Sequence, residues 1–494
     1  MRYRVVVLAW ILASACFSAD PALTIYNQQF AVVRETVPLE LKPGVNQVEF
    51  TGTTAQLEAA SVMLRDPSGK RVLRILEQNY RADPVSLEAL MKRYEGRTIE
   101  FQVRNGERIE TVNGKIVRAG SSRQSTAVMS SYPPPQSSTS QPIIEVAGKL
   151  RFDLPGVPLF PGLGAGMILK PTLDWTIETD RAGRLDAELG YVTGGFNWNA
   201  DYNIVQGDSK ALDIIGWVTM ENRSGKEFEN SRVKLMAGDV NKISPNDGRA
   251  FRVGGGVGGG VIGGIMSGPP VAEKTFDEYH LYTLQRPVTL HDMESKQVEF
   301  VRAEGVRSDI VYVYDGMKVD TSRYRSYPPE ALRNDASYGT LSNPKVWVMR
   351  EFVNSEANHL GMPLPKGRVR FYRRDTDGRL EFTGEDTIDH TPKDEKIRVF
   401  TGAAFDLTGE RKRTIFRNDM GRSMMDEAFE IKVRNHKKEP VEVRVVEHLY
   451  RWSTWEILSS SAPYTKTDAQ TIEFRVPLQP DEEKTITYAA HYTW

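Results

Sequence analysis

The chain is short of cysteine, histidine and net charge. Its 494 residues include one cysteine, Cys16. An intramolecular disulfide is therefore excluded whatever the surrounding redox state, and stability has to come from apolar burial. Seven histidines are present, but no H-E-x-x-H occurs, and His280, His291, His359, His436, His448 and His491 show no metal-ligand spacing. No G-x-S-x-G elbow exists and Cys16 is the sole thiol, so the sequence offers no nucleophile signature. Lys plus Arg number 64 against 65 for Asp plus Glu, a formal net charge of −1. That balance removes any global electrostatic case for nucleic acid or an anionic membrane as partner.

Apolar runs are short as well. Val5 to Leu12 (VVVLAWIL) follows a basic start, Met1-Arg2-Tyr3-Arg4, and precedes the small residues Ala13-Ser14-Ala15. The run is too short to span a bilayer, which takes about 20 residues, and the order basic, apolar, small is that of a secretory signal peptide over residues 1–19. Two processing routes stay open. Ala13-Ser14-Ala15 suits ordinary cleavage near Cys16 or Ala19. The same patch resembles a lipobox, with Cys16 as an acylated first residue, although Ala13 stands where leucine is usual. Either route predicts an exported protein of the periplasm or cell surface, meeting a membrane only through a lipid on Cys16.

What is plentiful is alternation. In Thr98-Ile99-Glu100-Phe101-Gln102-Val103-Arg104 the apolar residues share one face, and Asn105-Gly106 supplies a hairpin turn. Arg368 to Phe371 leads through Asp377-Gly378 to Leu380 and Phe382, and Phe429, Ile431 and Val433 alternate with charged residues. The expected fold is mainly β: multi-domain antiparallel β-sandwiches, a small SH3/Sm-like barrel and one short amphipathic helix. Asp83-Pro84 would start that helix, Leu87, Leu90, Met91 and Tyr94 would form its apolar stripe, and Gly96 would end it. The expected organisation is an N-terminal β domain over residues 20–95 with a helix at 84–94, and the small barrel over 96–154. Its Ser/Pro-rich loop would be 121–142, followed by a linker at 155–170, a sandwich over 171–342 and a second over 343–494.

Three motifs invite chemistry. Gly258, Gly260 and Gly263, in the Gly-rich loop 254–268, satisfy G-x-G-x-x-G, but Ser267-Gly268-Pro269-Pro270 follows where a phosphate-binding helix would be needed. Asp375-Thr376-Asp377-Gly378 echoes a calcium loop without its later acidic positions, and reads as a hairpin turn. Glu385, Asp386, Asp389 and His390 would suit a cation or acid–base work if they converged; on a strand end they would cap turns and pair with Lys393 and Lys396. The basic runs Lys366-Gly-Arg368-Val-Arg370 and Arg411-Lys412-Arg413 read as solvated strand faces. Ile486, Tyr488, Ala490, Tyr492 and Trp494 alternate to the last residue, as in an outer-membrane barrel strand. Too many charged alternations elsewhere disfavour a barrel, so a buried closing strand is expected.

Several blocks in the C-terminal two-thirds resemble one family. Phe196-Asn-Trp198-Asn-Ala-Asp-Tyr202, Gly216-Trp217 with Asn222 and Gly225, and Phe276 to Leu284 with Arg286 to Leu290 carry the likeness. So do Lys296-Gln297, Gly361 to Gly367, Gly384 to Pro392, and Tyr450-Arg-Trp452 with Trp455-Glu456. Over about residues 171–494 the chain resembles the bacterial domain of unknown function 4139 family, related to mucoidy-inhibitor A proteins. The resemblance implies an exported, mainly β protein and supplies no catalytic residues. No catalytic, cofactor-binding or metal residue is assigned and no cofactor is expected. The expected role is a non-enzymatic envelope protein with a protein or polysaccharide partner. The alternative is an envelope-polymer hydrolase using Glu385, Asp386, Asp389 and His390.

Overall fold

Alternating segments become strands with one buried face. Phe429, Ile431 and Val433 are buried in the strand Met424–Asn435, and Ile486, Tyr488, Ala490 and Tyr492 in Glu483–Thr493, while the residues between them are half-exposed or exposed. A computed structural model describes residues 20–82, 86–106, 108–120, 141–161, 168–207, 211–238, 240, 242, 271–276, 279–319, 321–325 and 327–494. The fold is mainly β, a set of several packed sheets. The Gly-rich loop, most of the Ser/Pro-rich loop, and the leader with Cys16 lie outside the described residues.

An eight-stranded sheet joins distant parts of the chain. The strand Ala22–Tyr26 pairs antiparallel with Phe30–Leu41 and parallel with Phe228–Ala237, Leu23 lying opposite Val233 and Ile25 opposite Leu235. Phe30–Leu41 pairs in turn with Gly183–Gly194. A three-stranded sheet places Thr172–Thr179 between Gly44–Thr51 and Leu73–Arg81. The units expected at 20–95 and 171–342 therefore share two sheets.

A five-stranded sheet runs in the order Glu294–Val306, Leu212–Asn222, Phe196–Gln206, Gly367–Arg374, Leu380–Ile388. Its inner face contributes Trp198, Tyr202, Val218, Phe300 and Phe371 to one core shared with the eight- and three-stranded sheets. Burying each such side chain stabilises the fold by roughly 1.5–3 kcal/mol. Gly216 lets the sheet close: a Cβ there would stand 2.4 Å from Val301 Cγ1 and 2.6 Å from Phe300 Cε1. Phe196–Gln206 pairs parallel with Gly367–Arg374, so this sheet also crosses the boundary drawn at 342.

The C-terminal part is a nine-stranded sheet with Trp455–Ser460 at one end and Tyr464–Asp468 at the other. These end strands are consecutive in the chain. Phe474, in Thr471–Leu478 near one end, lies 5.9 Å from Tyr488, in Glu483–Thr493 near the other, so the sheet packs on itself around one core. The long strand Lys396–Asp419 places Ile397 and Val399 in the first core and Leu407 in the second. The final alternation forms a buried strand of this sheet, as expected.

The small unit differs in two respects. Thr98–Asn105 and Arg108–Arg118 form the expected hairpin, but the end strands of its five-stranded sheet, Val157–Leu159 and Lys149–Arg151, do not pair with each other. It is an open sheet under a helix rather than a closed SH3/Sm-like barrel, with Met91 and Tyr94 on Ile99, Phe101, Ile116 and Ile144. The described helix is Leu87–Arg93, capped by Ser86, whose hydroxyl accepts the Ala89 N–H at 3.1 Å; residues 83–85 lie outside the description. Two further short helices, Thr321–Tyr324 and Pro329–Asn334, went unread because four and six residues are too few to display a period.

Candidate functional site

The acidic and histidine segment does not assemble. Glu385 and Asp386 are neighbours in Leu380–Ile388 and so face opposite ways. Glu385 lies 3.9 Å from Arg370 Nε, whereas Asp386 Oδ2 accepts the Phe400 N–H at 2.6 Å. The Asp389 side chain is 92% exposed with Lys366 Nζ at 3.5 Å, and His390 Nδ1 accepts the Lys366 N–H at 3.1 Å. The cations expected beside this segment pair elsewhere, Lys393 with Glu356 and Lys396 with Glu351. Among the described residues no three His, Cys, Asp or Glu side chains gather as a metal site. Asp375 to Gly378 forms a hairpin turn: Gly378 donates to the Asp375 carbonyl at 2.9 Å and adopts a φ of 84°.

A polar cleft opens instead on the outer face of the five-stranded sheet, with a volume of about 720 Å3. The strand Phe196–Gln206 forms its floor. Phe196, Trp198, Ala200, Tyr202 and Ile204 point into the core, which leaves Asn197, Asn199, Asp201 and Asn203 outward. Four successive Asn and Asp residues on one strand face are unfavourable, because these residues are depleted in strands. This was the signal that sequence reading passed over.

Hydrogen bonds order the floor of the cleft. Arg370 Nη1 stands 3.2 Å from Asp201 Oδ1, and the Thr219 hydroxyl is 3.5 Å from Asp201 Oδ2. Gln297 Nε2 in turn donates to Thr219 Oγ1 at 3.0 Å. Glu221 and Thr387 extend the lining to either side, and Lys366, Arg368 and Arg370 form a cationic wall. The opposite rim comes from the eight-stranded sheet, where Asn27 and Gln28 sit in the turn between its first two described strands and Gln29 adopts a φ of 66°. Asn27 Oδ1 is buried without a hydrogen-bond partner among the described residues. The basic run from Lys366 to Arg370 is thus a solvated strand face, and also one wall of a cleft.

A second polar cluster lies inside the nine-stranded sheet. Arg411 Nε donates to both Glu447 oxygens at 2.8 and 3.0 Å, its Nη1 donates to the Gly339 carbonyl at 2.7 Å, and the Tyr488 hydroxyl donates to Glu447 at 2.5 Å. Burial opposes the Arg411 charge, but the adjacent Glu447 carboxylate more than offsets this and holds the guanidinium ionised. Arg411 therefore belongs to a buried pair, and Arg413, its side chain largely buried, pairs with the buried Glu427 at 3.2 Å; of this run Lys412 alone meets the expectation of a wet face. Arg451 pairs with Glu427 and donates to the carbonyls of Leu332, Asp335 and Tyr338. Arg333 lies between the rings of Trp452 and Trp494, at 4.6 and 4.2 Å. These contacts fasten residues 332–338, at and after the helix Pro329–Asn334, to the sheet. The charged groups of Arg411, Glu447, Arg451 and Glu427 are thus engaged within the fold.

No protein-family model matches the chain, and no curated protein is similar enough to count as a relative.

Proposed function

We propose that the chain is an exported, non-enzymatic cell-envelope protein that binds a polysaccharide in the polar cleft. The leader-like residues 1–19 support export. The likeness of residues 171–494 to the domain of unknown function 4139 family points the same way and is part of the proposal. Free or held by an acylated Cys16, the protein would stand in the periplasm or at the cell surface.

One observation carries the binding reading: amide, hydroxyl and carboxylate groups converge on an open cleft, from strand positions where Asn and Asp are otherwise disfavoured. A sugar hydroxyl both donates and accepts, so rows of Asn, Gln, Thr and Asp side chains suit it. A protein partner calls for a largely apolar, aromatic-rich interface centre, and among the described residues the one aromatic side chain lining this cleft is Trp198, which is buried. Hydrolysis at Glu385, Asp386, Asp389 and His390 has no geometry behind it, because their functional groups diverge.

Affinity electrophoresis of the full chain through gels containing galactan, glucan, polygalacturonate or polyglucuronate tests the proposal. At least one polymer should retard it. Asn199→Ala and Gln297→Ala should each weaken that binding about tenfold, the loss expected for a hydrogen bond worth ~1.4 kcal/mol. Unimpeded migration in every gel, or retardation that both variants leave unchanged, overturns the reading.

A further inference from the structure

We infer that the polysaccharide taken by this cleft is acidic, built from carboxylate-bearing sugars, and that Arg368 receives the carboxylate. This rests on the polysaccharide reading above and names its ligand class.

The inference comes from the charges of the cleft. Lys366, Arg368 and Arg370 alternate along one chain segment and therefore project to one side. Arg370 is occupied by Asp201 at 3.2 Å, with Glu385 at 3.9 Å. Lys366 reaches Asp389 at 3.5 Å, although both side chains are well exposed. Glu221 faces Arg223 at 3.6 Å. Arg368 is exposed, lies in register between Asp201 and Thr387, and has no carboxylate within ion-pair distance among the described residues. Among the described residues, the charge left uncommitted in the cleft is thus a single guanidinium beside hydroxyl and amide groups.

A guanidinium presents a planar fork that fits a carboxylate through two parallel hydrogen bonds. The surroundings limit the charge it can accept. Asp201, Glu221 and Glu385 would repel a doubly charged phosphate, whereas a monoanion is matched by one free cation. A sugar carboxylate brings that single charge together with hydroxyls for Asn199, Thr219 and Gln297. The cleft's volume of about 720 Å3 is more than an isolated small acid fills and suits a chain.

The test is titration calorimetry of the full chain with oligomers of galacturonate and of glucuronate, each beside its carboxyl-reduced counterpart. Dextran sulfate serves as an unrelated polyanion. At least one acidic oligomer should bind ten times or more tighter than its reduced form. Arg368→Gln should abolish that difference, chiefly by weakening the acidic oligomer about tenfold. The substitution is on an exposed strand position, and an unaltered thermal midpoint would show the fold intact. Equal affinity for acidic and reduced oligomers, or a preference that Arg368→Gln leaves in place, overturns the inference while the polysaccharide reading stands. Dextran sulfate binding as tightly as the acidic oligomer, with equal loss on Arg368→Gln, also overturns it. Binding of neither the acidic nor the reduced oligomers overturns both.

Discussion

Removing the Arg411 side chain tests whether the buried ion pair is a structural fastener. In Arg411→Met the aliphatic stem is largely kept, but Glu447, whose side chain is fully buried, loses its cation, and the Gly339 carbonyl loses a donor. Breaking one partner of a buried pair costs about 3–5 kcal/mol, mostly through the stranded charge. That is a large share of the roughly 5–15 kcal/mol holding a folded domain together. Urea unfolding followed by hydrogen exchange in peptides covering 441–448 and 483–493 localises the loss to this sheet. The double variant Arg411→Met/Glu447→Gln removes the charge and keeps an acceptor for the Tyr488 hydroxyl, so it should recover about 2 kcal/mol or more. Equal losses in single and double variants would refute the stranded-charge account and leave only lost packing.

Two further outcomes follow from local geometry. Burial disfavours the His448 imidazolium, but the Asp315 carboxylate at 2.9 Å from Nε2, aided by Glu447 and Asp468, prevails and raises its pKa above the ordinary value. The stabilisation is therefore fully present below the unfolded pKa of about 6.5 and lost as pH rises through the folded value. Thermal midpoints between pH 6 and 9 should fall more steeply for the natural chain than for His448→Gln, and parallel curves would count against the pair. Gly409→Ala would place a Cβ 2.1 Å from Tyr314 Cε2, on a fully buried ring that also stands 2.8 Å from a Cβ built on Gly316. Overpacking of this kind typically costs about 1–3 kcal/mol. The urea midpoint should fall accordingly, while Gly421→Ala, whose nearest neighbour is 3.4 Å away, should leave it nearly unchanged.

Strand character was legible wherever alternation was strict. Phe101, Phe429 and Tyr488 were assigned to buried faces from spacing alone, because a half-buried strand repeats every two residues. Pairing was not legible. Nothing local in Ala22 to Tyr26 announces a parallel partner at Phe228 to Ala237, since register between distant segments is set by packing rather than by neighbours. The same blindness applied to the cleft. Asn27, Asp201, Gln297 and Arg368 come from four separate segments, so their convergence was invisible. The compact acidic run at 385–390 drew attention although strand geometry turns its members apart. Arg411 was misplaced for a related reason: one strand can leave the surface midway, and the residues Arg411-Lys412-Arg413 do not mark where.

The parallel pairing of Ala22–Tyr26 with Phe228–Ala237 bears on how the chain is made. A polypeptide delivered N-terminus first extrudes its opening hairpin long before the strand that must lie beside it. At ~5–20 residues per second, synthesis of the intervening stretch takes roughly ten to forty seconds. Throughout that interval the hairpin's flank lacks its partner strand and leaves a row of backbone N–H and C=O groups without their final pairing.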